Sequence, residues 1–170
     1  MTAIALTHGI VSTESILDVA KRFTGVRHRL ERVRVLDGVT YYNSSIDSSP
    51  SRTAAALSAL TQKPIVICGG ADKNLSFEPL ADVLCARAKA VVLTGATAEK
   101  IRTVLLSHPE VQSGELPIYR DPDFRGAVEL ARSIAKEGDT VLLSPACTSF
   151  DAFKNFAERG ETFCRIVSEF

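Results

Sequence analysis

The stretch Thr140–Gly160, TVLLSPACTSFDAFKNFAERG, decides the fold of this chain. Near its start, Val141–Leu143 form an apolar run between polar flanks, which is typical of a short buried strand. The run ends at residues 144–147, where small side chains surround a proline. The pattern therefore predicts a strand that stops in a tight turn.

The residues after this turn predict a helix. Thr148 or Ser149 is placed to cap it, and Asp151 would be favoured in its first turn. Gly160 is placed where such a helix would end. An open helix N-terminus attracts anions, so the stretch predicts an anion site. An ordinary strand–turn–helix unit, with the aromatic residues at 150, 153 and 156 in the core, is the alternative.

Length and composition indicate one globular domain. The 170 residues are 45% apolar and 24% charged, and 20 basic side chains balance 20 acidic ones. This balance disfavours a nucleic-acid surface, and no apolar run approaches the length of a membrane span. The first residues lack the features of a signal peptide. Four cysteines without a C-x-x-C pair predict buried free thiols in a reducing cytoplasm, and three scattered histidines predict no metal cluster.

Strands alternate with helices along most of the chain. The predicted strands are 30–36, 39–43, 64–68, 90–94, 116–119 and 140–143, and the predicted helices begin at Pro50 or cover 77–88, 97–107, 124–136 and 149–170. Asp37-Gly38 between the first two strands is a strong hairpin signal. This order predicts an α/β fold: a doubly wound, mostly parallel, Rossmann-like sheet with helices on both faces and an N-terminal β-hairpin.

The residues before the hairpin predict a separate element. Ser12 resembles the cap of a helix whose apolar positions reach Phe23 and which Gly25 ends. Residues 3–8 resemble the end of a helix that starts before the sequence does. We therefore expect 1–24 to be the helical tail of a preceding domain with a linker, and 25–170 to be the domain itself.

Three predicted strands end in small or hydroxyl residues: IVICGG, VVLTGA and VLLSPA. Ligands of open α/β sheets bind beyond the carboxyl ends of the strands, so these ends predict one binding edge. There, Gly69-Gly70 would let a ligand approach the backbone, and Lys73 supplies a cation. A surface turn is the alternative for Gly69–Asn74, and a plain linker is the alternative for the hydroxyl-rich loop 44–49.

Motifs for catalysis are absent from the sequence. It contains no G-x-x-x-x-G-K-[ST] phosphate loop, no G-x-G-x-x-G dinucleotide fingerprint and no G-x-S-x-G elbow. A nicotinamide-dependent oxidoreductase therefore receives little support. The sequence predicts a binding edge without the groups that would drive a reaction.

Four sequence blocks carry a resemblance to a known family. They are GVRHRLE at 25–31, DGVTYYNSSIDSSPSRT at 37–53, GGADKNLSFEPLA at 69–81 and LLSPACTSFDAFKNFAERGETF at 142–163. Together they resemble the C-terminal domain of the D-glutamate-adding ligases of the Mur ligase family, and the last block is the most specific. The resemblance covers essentially the whole chain. It implies two further domains, of which one binds a UDP sugar and one carries the ATP phosphate loop.

The resemblance implies an ATP-dependent amide ligation in peptidoglycan synthesis in the cytoplasm. ATP phosphorylates the carboxylate of UDP-N-acetylmuramoyl-L-alanine, and the amine of D-glutamate attacks the acyl phosphate. The implied cofactors are ATP and Mg²⁺, with the Mg²⁺ ligands mainly in the central domain. The chain alone is expected to be an inactive monomer with no nucleic-acid or membrane partner. A stand-alone binding or regulatory module made from this domain is the alternative.

The resemblance also implies roles for individual residues, with no catalytic or metal-binding residue among them. The implied ATP contacts are His28, Arg29 and Ser44, and the implied D-glutamate contacts are Ser48, Lys73, Ser149, Phe150 and Phe156. These roles agree with the expectation from the residues themselves, because a lysine and a helix N-terminus on one edge suit a dicarboxylate.

The loop 43–49 departs from the family's usual Asn-Asp-Ser-Lys-Ala-Thr. Ser44 stands in place of an aspartate close to ATP, and Ile46 stands in place of a lysine. Asp47 adds a carboxylate near a site expected to attract carboxylates, which is unfavourable unless its side chain points away. These three positions leave the strength of the nucleotide contact open.

Overall fold

A six-stranded sheet forms the centre of the molecule. The computed structural model describes residues 10–23 and 25–170, so the helix end expected at 3–8 lies outside the described residues. The strands are β1 (Glu31–Leu36), β2 (Val39–Asn43), β3 (Ile65–Gly69), β4 (Ala90–Thr94), β5 (Ile118–Arg120) and β6 (Thr140–Leu143). Their order is β1-β2-β6-β3-β4-β5; β1 is antiparallel to β2, and the other neighbouring pairs are parallel. The predicted mostly parallel sheet is confirmed.

The predicted hairpin joins β1 and β2. Asp37 and Gly38 both adopt positive φ, 50° and 74°, as a two-residue turn between twisted strands requires. The last strand of the sequence, β6, then pairs with β2 on one side and β3 on the other. The carboxyl ends of β2, β6 and β3 consequently lie side by side.

Helices cover both faces of the sheet. The described residues form α1 (Thr13–Arg22), α2 (Pro50–Ala59), α3 (Glu78–Arg87), α4 (Ala98–Leu105), α5 (Pro109–Gln112), α6 (Phe124–Ile134) and α7 (Phe156–Ser168). One core, which includes Leu57, Leu84 and Ile101, lies under α2, α3 and α4. A second core, which includes Ala131 and Phe163, lies under α6 and α7. Since β3, β4 and β6 are buried on both faces, they form unbroken apolar runs in the sequence.

The helix starts agree with the sequence at two positions. Ser12 caps α1, and its Oγ accepts from the N–H of Ser15 at 3.2 Å. Pro50 occupies the first turn of α2, where its missing N–H costs nothing. The single turn of α5 was not predicted. Within the described residues, no helix combines the length and the apolar character needed to cross a membrane.

The last helix begins later than predicted. α7 starts at Phe156, and its cap is Asn155, whose Oδ1 accepts from the N–H of Glu158 at 2.9 Å. At Ser149 the chain makes only one turn, in which the Ser149 carbonyl accepts from the N–H groups of Ala152 and Phe153. The prediction that Thr148 or Ser149 caps the helix was wrong, because the side chain of Asn155 satisfies the first N–H groups of α7 instead.

Gly160 lies inside α7 rather than at its end. A Cβ at this position would clash with the ring of His28, so the missing side chain lets the helix lie against this residue. The prediction that Gly160 ends a helix was wrong, because here the glycine provides space and not a stop signal.

Candidate functional site

Three loops meet at the carboxyl ends of β2, β6 and β3. We call them the β2 loop (44–49), the β6 loop (144–155) and the β3 loop (70–77). The N–H of Ala71 donates to the carbonyl of Thr148 at 2.9 Å and joins the β3 loop to the β6 loop. The N–H of Gly69, at the end of β3, donates to the carbonyl of Pro145 at 2.8 Å. The loops thus form one edge, as predicted, which we call the binding edge.

The two glycines of this edge allow neighbouring backbone segments to pack closely against them. Gly69 and Gly70 are buried and have φ values of 124° and 146°, where side chains are rarely accommodated. A Cβ on Gly69 would clash with the carbonyl of Thr94, and one on Gly70 with the carbonyl of Thr148. The expectation that these glycines admit a ligand was wrong, because neighbouring backbone fills the space.

A buried arginine that sequence reasoning missed holds the β2 and β6 loops together. Arg159 of α7 is 2% exposed. Its Nε donates to Ser45 Oγ at 3.0 Å, its Nη2 donates to the carbonyls of Ser45 and Cys147 at 3.0 Å each, and its Nη1 donates to the carbonyl of Thr148 at 3.1 Å. Desolvation lowers the pKa of the guanidinium to about 10. Because its planar fork binds backbone on both loops, Arg159 fixes their relative position.

The carboxylate of Asp47 points inward from the β2 loop. Its Oδ2 accepts a hydrogen bond from Ser144 Oγ at 2.8 Å. Burial raises the pKa of Asp47, while hydrogen bonds from Ser44 and Ser144 and the charges of Arg52 and Arg29 oppose the rise. Asp47 also borders a pocket that contains Arg29 and Arg52, so its carboxylate lies near these two guanidinium groups.

His28, an expected ATP contact, lies in a buried network. Its backbone has a positive φ of 61°, and its N–H donates to Glu31 Oε2 at 2.8 Å. Asn43 Nδ2 lies 3.0 Å from His28 Nδ1; since an amide nitrogen donates, Nδ1 accepts and the ring proton is assigned to Nε2. The ring of Phe156 packs edge-on at 5.9 Å. These contacts place His28 between β2 and α7, and a nucleotide contact stays a prediction.

The two other expected ATP contacts line one pocket. Its volume is about 260 Å³, and its wall consists of Arg29, Leu30, Ser44, Asp47, Arg52, Ala55 and Ala56. Ser44 is buried, and its Oγ accepts from the N–H of Leu30 at 3.2 Å. Arg29 and Arg52 are exposed, and two guanidinium groups favour an anionic ligand. Arg52 was not predicted, although its place in the first turn of a helix after a polar loop was an available signal.

Lys73 and Ser149, both expected to bind D-glutamate, flank the hydrogen bond that joins their loops. Lys73 follows Ala71 by two residues, and Ser149 follows Thr148 by one. Lys73 is exposed, and among the described residues it takes part in no ion pair, whereas Asp72 beside it pairs with Lys100 at 3.1 Å. Ser149 is 2% exposed.

The remaining expected contacts lie farther along the loops. Phe150 is 71% exposed and Phe156 is 40% exposed, so the alternative that places both in the core is wrong. Phe153 is half-buried, and its ring lies 5.0 Å from the ring of Phe124. Ser48 is half-buried in the β2 loop.

The carboxylates of the binding edge are already engaged. Asp47 accepts from Ser144, Asp72 pairs with Lys100, and Asp151 accepts from the N–H of Ala96 at 3.2 Å, just before α4. The expectation that Asp151 favours a helix starting at residue 149 was therefore wrong. Within the part of the chain that the structure describes, no group of three metal-ligating side chains lies at this edge.

The fold and this edge define an α/β domain that presents loops beyond the carboxyl ends of parallel strands. Comparison with known protein families identifies this class of domain. The family model described as "Mur ligase, glutamate ligase domain" matches residues 28–147, and the chain belongs to this family.

Curated relatives match almost the whole chain. The UDP-N-acetylmuramoylalanine–D-glutamate ligase of Clostridium novyi (strain NT) is 46% identical over 168 residues, which are 99% of this chain and 37% of the relative. The enzyme of the same name from Clostridium perfringens (strain 13 / Type A) is 47% identical over 158 residues, 93% of this chain and 34% of the relative. The chain therefore spans about a third of the length of these relatives.

Solved structures share the fold at lower identity. A bifunctional folylpolyglutamate synthase/dihydrofolate synthase from Yersinia pestis, complexed with AMPPNP and Mn ion, matches with a TM-score of 0.67 and 15% identity over 98% of this chain and 38% of its own. The murein peptide ligase Mpl from Psychrobacter arcticus matches with a TM-score of 0.55 and 15% identity over 95% and 35%. Both likenesses support the α/β fold.

Proposed function

We propose that this chain is the D-glutamate-binding domain of an ATP-dependent ligase that joins D-glutamate to UDP-N-acetylmuramoyl-L-alanine in cytoplasmic peptidoglycan synthesis. Relatives named for this ligation are 46% and 47% identical to it. Because the chain spans about a third of their length, we assign the phosphate loop, the Mg²⁺ ligands and the UDP-sugar site to other domains of the protein. Residues 1–24 then connect those domains to the domain at 25–170.

The observation that carries the proposal is the hydrogen bond between Ala71 and Thr148. This hydrogen bond joins the β3 loop, where Lys73 takes part in no ion pair among the described residues, to the β6 loop, where Ser149 is buried. D-Glutamate carries two carboxylates, and Lys73 would bind one of them by a charge-assisted hydrogen bond. The Ser149 hydroxyl would donate to the other, together with the N–H of Phe150, which donates to no backbone carbonyl within the described residues. Phe156 and Ser48 would border the same ligand.

The pocket at the β2 loop supports a contact with the nucleotide. Arg29 and Arg52 give one wall positive charge, and phosphate oxygens are natural partners of guanidinium groups. The Yersinia protein, which shares this fold, was solved with the ATP analogue AMPPNP, so ATP use has a precedent among proteins that contain such a domain. His28 and Ser44 would act indirectly, because both are buried and already bonded to the protein.

The reaction is tested by phosphate release from ATP. The full-length gene product, supplied with UDP-N-acetylmuramoyl-L-alanine and Mg²⁺, should release phosphate with D-glutamate and stay near background with L-glutamate. The 170-residue chain should stay at background with every substrate. Equal rates with both enantiomers, or turnover by the chain alone above a mock purification, would contradict the proposal.

A matched pair of arginine variants tests the nucleotide contact. Arg29→Ala in the full-length protein should raise the KM for ATP, because it removes a charge from the pocket wall. Arg32→Ala removes an exposed charge from β1 that does not line the pocket, and it should leave this constant unchanged. Equal effects of the two substitutions would assign the change to overall charge and not to the pocket.

A further inference from the structure

Three metal-ligating side chains converge on the side of α3, away from the binding edge. Cys85 lies in α3, His108 caps α5, and Glu110 lies in the turn of α5. The Cys85 sulfur, a ring nitrogen of His108 and a carboxylate oxygen of Glu110 all lie within 4.8 Å of one another. α3 follows β3 and α4 follows β4, so each helix runs from the carboxyl end of its strand back toward the opposite edge of the sheet. Cys85 lies in the last turn of α3, and His108 lies three residues after the end of α4. The cluster therefore lies toward the opposite edge of the sheet from the proposed substrate site.

One oxygen of this cluster is buried without a partner. Glu110 Oε2 is inaccessible to solvent and accepts no hydrogen bond from the described residues. A buried carboxylate oxygen in this state is costly, and native proteins satisfy nearly all such atoms. Because a thiol sulfur and an imidazole nitrogen lie beside it, a cation bound by all three groups would satisfy the oxygen.

The composition of the cluster selects the class of metal. A thiolate, an imidazole and a carboxylate are the ligands of zinc sites, whereas Mg²⁺ and Ca²⁺ take oxygen ligands. Zinc bonds of about 2.0–2.3 Å place tetrahedral ligands roughly 3.5 Å apart, so each of the three atoms would move by less than about 1 Å. The scattered histidines predicted no metal cluster, because Cys85 and His108 are far apart in sequence and only the packing of α3 against the α4–α5 segment brings them together.

A second carboxylate stands behind the histidine. Asp82 Oδ1 lies 3.9 Å from His108 Nδ1, and Asp82 is one turn before Cys85 on α3. Histidines bound to zinc commonly have such a carboxylate, which orients the ring and raises its basicity. From this position Asp82 would orient the ring once His108 binds a metal ion.

We propose that Cys85, His108 and Glu110 form a binding site for a zinc-class divalent cation, with Asp82 orienting the histidine. The bound cation links α3 to α5 and leaves one coordination position to solvent. Burial and the neighbouring acids raise the pKa of the Cys85 thiol in the metal-free protein, so metal binding releases a proton from this group.

Cobalt(II) is the probe that tests this site. The reduced, tag-free chain is titrated with Co²⁺, and its absorption is followed for the band that arises when a thiolate binds the ion. We expect one equivalent of Co²⁺ to bind, the band to appear, and Zn²⁺ to abolish it by displacement. Cys85→Ser should remove the band, and His108→Gln and Glu110→Gln should each weaken Co²⁺ binding at least tenfold.

Cys164→Ser is the matched control. Cys164, like Cys85, is a free cysteine on a helix, but it is only partly buried and lies next to Asn43, outside the cluster. This variant should bind Co²⁺ like the wild type. If Cys85→Ser does not fold, Co²⁺ binding by His108→Gln is the deciding measurement. His108 is partly exposed, so its substitution should be tolerated, and circular dichroism can check the fold of the variant.

Two results would overturn the assignment. The first is a wild-type chain that shows no thiolate band at saturating Co²⁺. The second is a band that survives Cys85→Ser or disappears in Cys164→Ser. Neither result touches the proposed ligase function, because the titration uses neither nucleotide nor amino acid.

Discussion

Replacing Arg159 by methionine tests the connection between the loops of the binding edge. The substitution keeps the apolar stem but orphans the carbonyls of Ser45 and Cys147, which have no other hydrogen bond among the described residues. Each orphaned acceptor costs about 2 kcal/mol, and the lost contacts to Ser45 Oγ and the Thr148 carbonyl cost about 1 kcal/mol each. In the other direction, the variant no longer buries a charge. The pKa of Arg159, lowered to about 10, corresponds to a cost of roughly 3 kcal/mol for burying its guanidinium, and the methionine variant is relieved of this cost.

The expected result is a net loss of about 3 kcal/mol in the free energy of unfolding, or about 6–12 °C in Tm for a chain of this size. Urea unfolding followed by circular dichroism measures the loss. Arg165→Met is the control on the same helix, since Arg165 is exposed and contacts only Glu169 at 3.7 Å among its ion pairs; it should cost less than about 0.5 kcal/mol. A cost for Arg159→Met no larger than that of the control would refute the reasoning.

Three other measurements address the fold, the site and its charge. The 170-residue chain should unfold in one cooperative thermal transition, because helices cover both sheet faces; a broad melt by circular dichroism would speak against an independent domain. In the full-length protein, Lys73→Ala should raise the KM for D-glutamate by a factor equivalent to about 1.5–3 kcal/mol, and Ser149→Ala by a factor equivalent to about 0.5–2 kcal/mol. The KM for ATP should change little in either variant. If the KM for D-glutamate stays within about twofold of wild type in both variants, these residues do not belong to the site. Burial raises the pKa of Asp47, so the folded state keeps a proton that the unfolded state has lost, and stability falls as the pH rises above about 4. Asp47→Asn should therefore stabilise the chain near pH 7 more than near pH 4 in urea unfolding, and an equal gain at both values would show that Asp47 is not the titrating group.

The strands and the hairpin could be predicted because their signals are local. Ala90–Thr94 and Thr140–Leu143 were predicted with the bounds that the structure shows, since both are apolar runs buried on both faces and stopped by polar or small residues. Asp37-Gly38 fixes its turn through backbone conformation alone. The common binding edge followed from the rule that parallel strands end on the same side of a sheet.

The errors at the binding edge come from contacts between distant segments. Ser149 and Asn155 are both good helix caps, and local sequence cannot show which of them the tertiary structure uses. A charged residue one turn into a helix is usually exposed. The burial of Arg159 follows only from carbonyls that lie 11, 12 and 114 positions away in sequence. Gly69, Gly70 and Gly160 were misjudged for the same reason, because the atoms that a side chain at each position would meet belong to other elements.

The place of β6 has a consequence for how the chain is made. Thr140 pairs with Thr40, and Val141 pairs with Ile65, so the strand synthesised last stands in the middle of the sheet. Until it emerges from the ribosome, the hairpin and the β3–β4–β5 unit share no strand, and β2 and β3 present unpaired backbone N–H and C=O groups to other chains. Such late, long-range pairing makes folding slow, and a nascent chain stalled before residue 140 is a substrate for chaperones or proteases rather than a partly working domain.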